Sequence, residues 1–235
     1  MPHTNRLLAA LTPAAQAQVL SLARMIDLPQ ETLLAQSDEQ SSHVHFLTSG
    51  VASFVVSAKD GGSAEIGMIG NEGMVGSVSL LGSYAPVSHC LMQMDGAGYR
   101  VAVPDMRRLF ESSSEIRFLV LQSMQQQMLT VSQIAACNRL HNATERLSRW
   151  LLTASDRIGS NTVSLTQESL SQMLGTRRTT VALVAGALQR SGLIRYQRGN
   201  VNIVNRQGLV DAACDCYTIT RNMVDSLYSD IYTSQ

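Results

Sequence analysis

Few folds accommodate the stretch from Thr166 to Arg206, TQESLSQMLGTRRTTVALVAGALQRSGLIRYQRGNVNIVNR. Thr166 has the side chain of a helix N-cap, because its hydroxyl can accept from a backbone N–H two or three residues on. Leu170, Met173 and Leu174 then fall on one helical face that ends at Gly175, the residue expected to make the turn. A second helix is predicted to start near Arg177, with Val181, Val184, Ala185 and Leu188 forming a buried stripe. Its first turn carries Arg177, Arg178, Thr179 and Thr180. After Gly192 the run LIRYQRGNVNIV alternates, predicting a two-strand wing that turns at Gly199-Asn200.

Two short helices joined by a glycine turn occur in many helical hairpins, so charge has to decide what this pair does. From Thr166 to Arg206 there are six arginines, residues 177, 178, 190, 195, 198 and 206, against the single acid Glu168, a net of +5. Phosphate backbones reward such a patch through counterion release, and a guanidinium can read a guanine edge with two hydrogen bonds. A helix opening with arginine and hydroxyl side chains is suited to the major groove. Double-stranded DNA is therefore the expected partner, with Thr166, Gln167, Arg177, Arg178, Thr179 and Thr180 in the helix pair and Arg198 in the wing as contacts.

The 235 residues, 45% of them hydrophobic, suffice for two modest domains. A formal net charge of zero hides an asymmetry: residues 1–137 carry −4 and residues 138–235 carry +4. No run of about eighteen apolar residues appears, and the N-terminus lacks a hydrophobic signal core, so a soluble cytoplasmic protein without membrane contact is expected. Four cysteines, Cys90, Cys137, Cys214 and Cys216, make no disulfide framework in a chain of this length. Cys214 and Cys216 could offer two thiolates, but a structural metal site usually takes four ligands and C-x2-C spacing. Buried thiols, with no metal or cofactor, are the expectation. No phosphate loop, nucleophile elbow or HExxH is present, so no catalytic residues are assigned and the chain reads as a non-enzyme.

Residues 4–25 suggest two short helices. From Ile26 to about Val103, short β-prone runs are cut by repeated glycines, the texture of a small barrel or roll. From Glu115 to about Arg139 one long helix is predicted, with Leu121, Met124, Met128, Val131 and Ala135 at alternating spacings of three and four, a heptad seam that a twin helix could cover. Phe118, Leu129 and Ile134 are flanking apolar positions that the chain's own roll could cover. Residues 138–142 read as a hinge, residues 143–159 as a helix, TVSL as a short strand, and the tail from Gln207 as one or two closing helices.

A roll, a heptad helix, a hinge and a winged helix-turn-helix in this order resemble the cyclic-AMP receptor protein / FNR (Crp/Fnr) superfamily of bacterial transcription regulators. The likeness is carried most by LSQMLGTRRTTVALVAGALQRSGLIRYQRGNVNIV, with IGNEGMVGSVSLLG resembling the family's glycine-acid turn and CDCY the tail of one branch. The resemblance implies an α+β protein: a cyclic-nucleotide-binding-like β-roll (jelly roll) over residues 1–114, a dimerisation helix and hinge over 115–140, and a winged helix-turn-helix with a helical tail over 141–235. It implies a homodimer on a pseudo-palindromic promoter site, RNA polymerase as a further partner, and an effector site in the roll at Glu72, Gly73, Ser88 and His89.

Departures from the family pattern shape the expectation further. Arg178 sits where the family's guanine-reading arginine sits, but Thr179 replaces a common glutamate and Leu183 a second base-reading arginine. Where cyclic-nucleotide binders hold the phosphate with an arginine, this chain has Ser88 followed by His89, and no lysine or arginine lies between Lys59 and Arg100. A branch that does not bind cyclic nucleotide, with an unidentified effector, is expected. The oxygen sensors' N-terminal cysteine cluster is missing, and His89 and Cys90, adjacent on a strand, cannot both face one haem iron; Pro2 and His3 would be that group's other ligands. The alternative is a nucleotide-binding module whose helix pair serves as a protein interface.

Overall fold

The structure, a computed structural model, describes residues 4–59, 62–82 and 86–233. The side chains of Gln167 and of residues 229–233 also lie outside the description, as do Pro2 and His3. The chain forms two compact units, one of Met1–Phe54, Gly67–Leu129 and Met223–Gln235, the other of Val55–Ile66 and Thr130–Asn222.

The first unit begins with two helices, α1 (Arg6–Ala9) and α2 (Pro13–Leu22), as the apolar spacing of residues 4–25 predicts. Asn5 caps α1 by accepting from the Leu8 amide at 3.1 Å, while its Nδ2 donates to the carbonyls of Leu47 and Gly73 at 2.9 and 2.7 Å. One fully buried amide thus fixes the helix on the strands that follow. Those strands are β1 (Arg24–Leu28), β2 (Leu33–Ala35), β3 (His43–Ser57), β4 (Ser63–Ile69), β5 (Met74–Val75) and β6 (His89–Ala102), with a 3-10 turn at Ser77–Leu80. The sheet order is β1-β6-β3-β4, with β2 pairing β6 and β5 pairing β3.

The long strands β3 and β6 approach closely where neither carries a side chain. A Cβ on Gly50, whose φ is +78°, would lie 2.8 Å from the Asp95 carbonyl oxygen, and one on Gly96 2.2 Å from that of Ser49. Successive residues of β3 feed different cores, as the pleat demands. Leu47 joins Leu28, Leu34, Ile69, Val75, Cys90 and Met92 inside the roll. Phe46 joins Leu7, Leu8, Val19, Met74 and Val101 under the helices, together with Met106 of α3 (Val103–Ser112) and Ile116, Leu119 and Val120 of α4 (Ser114–Leu140).

Helix α4 matches the predicted span, one residue longer at each end, but its apolar positions divide differently. Ile116, Val120, Ser123, Thr130, Ile134 and Cys137 are buried, an inward stripe that includes hydroxyls. Of the three positions expected to serve the roll, Ile134 is buried while Phe118 and Leu129 are exposed. In the heptad seam Leu121 is 43% and Met128 63% exposed, Ala135 is exposed, and Met124 and Val131 are half-buried. The helix continues to Leu140, so the break expected over residues 138–142 narrows to His141 and Asn142.

The second unit is organised on α5 (Ala143–Ile158), whose start is fixed by a reciprocal cap: Asn142 accepts from the Thr144 and Glu145 amides and the Glu145 carboxylate accepts from the Asn142 amide. Leu147, Trp150, Leu151, Leu152 and Ala154 are its buried face. The Trp150 indole N–H points at the carboxylate of Glu65, 3.0 and 3.1 Å from its two oxygens, and this acid is only 2% exposed. After β7 (Thr162–Ser164) come α6 (Gln167–Leu174), α7 (Arg178–Arg190), β8 (Ile194–Gln197) and β9 (Asn200–Ile203). The wing has three strands in the order β7-β9-β8, because the TVSL strand joins the predicted pair. Its turn is Arg198-Gly199, with φ of +51° and +77°, one residue earlier than expected. That register pairs the buried Ile194 with Ile203 and the half-buried Tyr196 with the buried Val201, keeping the inward side chains opposite one another. Helices α8 (Arg206–Asp211) and α9 (Cys216–Thr233) close the chain.

Candidate nucleic-acid interface

Thr166 caps α6, its hydroxyl oxygen accepting from the Ser169 amide at 3.1 Å. Leu170, Met173 and Leu174 are buried, and the helix ends at Gly175 in the left-handed conformation, φ +55°. A Cβ there would come within 3.2 Å of the Ala64 side chain, so both conformation and space select glycine. Arg177 is the extended N-cap residue of α7, which begins at Arg178. Val181, Ala185 and Leu188 are buried and Val184 is half-buried. The opposite face presents Arg177, Arg178 and Thr179 to solvent, with Thr180 half-buried beside them.

The structure adds two details to this face. Arg178 Nη1 lies 2.9 Å from Glu168 Oε2, an exposed ion pair that points the guanidinium along the first turn of α7. Leu183, one turn beyond Thr179, is 72% exposed on the same side of the helix. Arg198 stands exposed at the tip of the wing. Arg206, counted in the positive patch, is instead engaged within its own unit: it pairs with Asp156, donates to Ser155 Oγ at 3.0 Å and approaches the Tyr217 hydroxyl at 3.2 Å.

The roll's glycine-acid turn is occupied by the chain itself. A Glu72 carboxylate oxygen accepts from the Gly70 amide at 3.0 Å, the Glu72 carbonyl accepts from the Tyr228 hydroxyl, and the Gly73 carbonyl accepts from Asn5. Ser88 and His89 stand at the start of β6, His89 half-buried. A cavity of about 10 Å³ in this unit, room for one water-sized sphere, is lined by Leu7, Phe46, Met74, Ile116 and other apolar side chains and by none of the four candidates.

His45 is the one strongly perturbed histidine among the described residues. It is buried, its Nδ1 has no hydrogen-bond partner, and burial together with the nearby His43 and Arg100 lowers its pKa to about 4. The four cysteines are free and buried. Cys137, Cys214 and Cys216 cluster, and His141 joins them, bringing four potential ligand atoms within 4.8 Å of one another. The hydrogen bond shared by Cys137 and Cys214 lowers the Cys137 pKa to about 5 and raises that of Cys214.

Among the described residues no helix is long and apolar enough to cross a membrane. Residues 145–212 match the Crp-like helix-turn-helix domain. No curated protein matches the chain in sequence. Similar solved structures include the c-di-GMP-responsive global regulator CLP of Xanthomonas campestris, with a TM-score of 0.69 at 16% identity over 83% of this chain and 100% of that one. A CRP/FNR-family transcriptional regulator from Thermus thermophilus gives 0.69 at 15% identity over 81% and 98%. FixK2 from Bradyrhizobium japonicum gives 0.69 at 15% over 82% and 98%. At such identities the likeness speaks for the fold, and it agrees with the helix pair, wing and roll described above. Residues 145–212 therefore form a Crp-like helix-turn-helix domain, and the chain as a whole shares the fold of these structures.

Proposed function

We propose that the protein binds a pseudo-palindromic promoter site as a homodimer, inserting the first turn of α7 from each copy into successive major grooves. The observation that carries this reading is the division of α7: Val181, Ala185 and Leu188 are buried while Arg177, Arg178 and Thr179 stand exposed on the other side. Arg178 reads guanine, Arg177 supports it, and Arg198 of the wing holds phosphate. Thr166 and Gln167 at the start of α6 complete the phosphate contacts, with Thr180 at the groove edge. Leu183 meets a thymine methyl group in place of the polar contact an arginine would make.

The exposed Leu121 and Met128, with Met124, Val131 and Ala135 along the same seam, support pairing of α4 with its twin. Two recognition helices about one DNA turn apart then explain a two-fold site. RNA polymerase, as the enzyme that works at promoters, is the further partner. An effector acts through the roll, at or near Glu72, Gly73, Ser88 and His89. The internal closure of the Glu72 turn and the lack of any lysine or arginine between Lys59 and Arg100 argue against a cyclic nucleotide held there by its phosphate. Anisotropy titrations on the protein's own promoter fragment, with and without cyclic AMP and cyclic GMP, test this. Specific binding unaffected by either nucleotide supports the proposal. Nucleotide binding without any DNA binding would favour the module whose helix pair contacts protein.

A further inference from the structure

We infer that Cys137, His141, Cys214 and Cys216 form a closed, four-coordinate site for one thiophilic divalent cation, zinc by its chemistry. The inference rests on the second unit alone and stands apart from how α7 meets DNA. Local geometry pairs the ligands two by two. Cys137 and His141 are one helical turn apart, and the His141 amide donates to the Cys137 carbonyl at 3.1 Å, so both side chains leave the same face at the end of α4. Cys214 and Cys216 flank Asp215 where α9 begins.

The separations suit a single ion. Cys137 Sγ lies 3.5 Å from Cys214 Sγ, and Cys216 Sγ lies 3.6 Å from His141 Nδ1. With metal–sulfur bonds of about 2.3 Å and metal–nitrogen bonds of about 2.0 Å, tetrahedral ligand atoms stand roughly 3.5–3.8 Å apart. A disulfide would need about 2.05 Å. A multi-iron cluster, whose cysteines bind separate irons, would spread its ligands further than the 4.8 Å found here. Three sulfurs and one imidazole are a donor set that selects zinc over magnesium or calcium.

The surroundings are those of a thiolate site. The Gln133 amide donates to Cys216 Sγ at 3.1 Å. With Nδ1 turned to the sulfurs, the other imidazole nitrogen of His141 lies 3.7 Å from the Asp215 carboxylate, the partner that would orient a ligating histidine. Arg149, only 4% exposed, keeps a buried Nε without a hydrogen-bond partner and lies close enough to Cys137 for its charge to act on the sulfur. Arg146, half-buried, is a second guanidinium whose charge reaches Cys137 and Cys214. A divalent ion with three thiolates and a neutral imidazole is a monoanion, a counter-charge for these cations. A closed site of four protein ligands is structural: it pins the first turn of α9 to the last turn of α4.

The test uses full-length protein purified in reductant, without chelator or a metal-affinity column. Plasma mass spectrometry should find about one zinc per chain. After the metal is stripped, added Co²⁺ should give thiolate-to-cobalt charge-transfer absorption and the visible bands of tetrahedral cobalt, both abolished by Zn²⁺. Cys214→Ser and His141→Ala should each lower retained zinc at least tenfold, while Cys90→Ser, in the roll, should leave it unchanged. Should a variant fail to fold, the cobalt titration of the unaltered protein decides. Protein that holds no metal and shows no thiolate–cobalt absorption would overturn the inference. So would a pair of thiols lost to air with Cys137 and Cys214 recovered as a disulfide-linked peptide from metal-supplemented protein.

Discussion

Replacing Arg178 with alanine separates base reading from simple charge attraction. A guanidinium that reads a guanine edge contributes about 1–3 kcal/mol of discrimination, and a dimer makes the contact twice, so about 2–6 kcal/mol is at stake per site. In the free protein Arg178 already pairs with Glu168 at 2.9 Å, and both side chains are well exposed. An exposed pair of this kind is worth at most about 1 kcal/mol, so its release on binding offsets only part of the gain. The net expectation is about 1–2 kcal/mol per half-site, or roughly 30-fold to 1,000-fold weaker binding of the dimer, at about tenfold per 1.4 kcal/mol. Anisotropy titrations at fixed salt, on the best site and on variants changed at one base pair in each half, measure it. Arg178→Ala should lose affinity for the best site and become indifferent to the base it reads. Arg198→Ala should weaken all sequences alike and lower the salt slope. Glu168→Gln, which frees Arg178, should tighten binding a few-fold. If Arg178→Ala weakened every sequence evenly and left the base preference intact, the assignment of Arg178 to a base edge would be wrong.

Other perturbations probe the two units separately. Met128→Asp puts a charge into the exposed seam of α4 and should shift the protein from dimer to monomer by light scattering, while its far-ultraviolet circular dichroism stays that of the unaltered chain. Gly175→Ala imposes a left-handed conformation on a residue with a Cβ and should cost about 1–2 kcal/mol in chemical denaturation, with a matching loss of DNA affinity. His45 favours the neutral form when folded, so its contribution is present above the unfolded pKa of about 6.5 and is lost as pH falls towards 4. That loss amounts to about 3 kcal/mol across the window, and His45→Gln should flatten the stability profile there by a comparable amount. An unchanged profile would mean that His45 is solvated rather than buried.

The helix pair was legible in the sequence because its determinants are local: the Thr166 hydroxyl, the Gly175 turn and the three-and-four spacing of Val181, Ala185 and Leu188 each act within a few residues. Gly199-Asn200 looks like a turn dipeptide, yet the wing turns one residue earlier, because Arg198 adopts a positive φ so that Ile194 and Ile203 can face each other. On α4 the outward seam is the more uniformly apolar one, and the inward stripe includes Ser123 and Thr130, so periodicity alone credited Phe118 and Leu129 to the roll. Contacts between residues distant in the chain left no such trace. Glu65 with Trp150 and Cys137 with Cys214 depend on how separate segments pack, and spacing within Cys214-Asp215-Cys216 shows only half of a four-ligand set. The effector region is the least legible: Glu72 carries the family's acid, yet in the structure it closes its own turn.

The central claim is that two copies of α7 read a two-fold DNA site. Selection of bound sequences from a random double-stranded pool by the full-length protein tests it most directly. The account predicts enrichment of an inverted repeat whose half-sites are centred about one helical turn apart, each with a guanine whose preference disappears in Arg178→Ala. Enrichment of a single unrepeated element, or no enrichment at moderate salt, would contradict it.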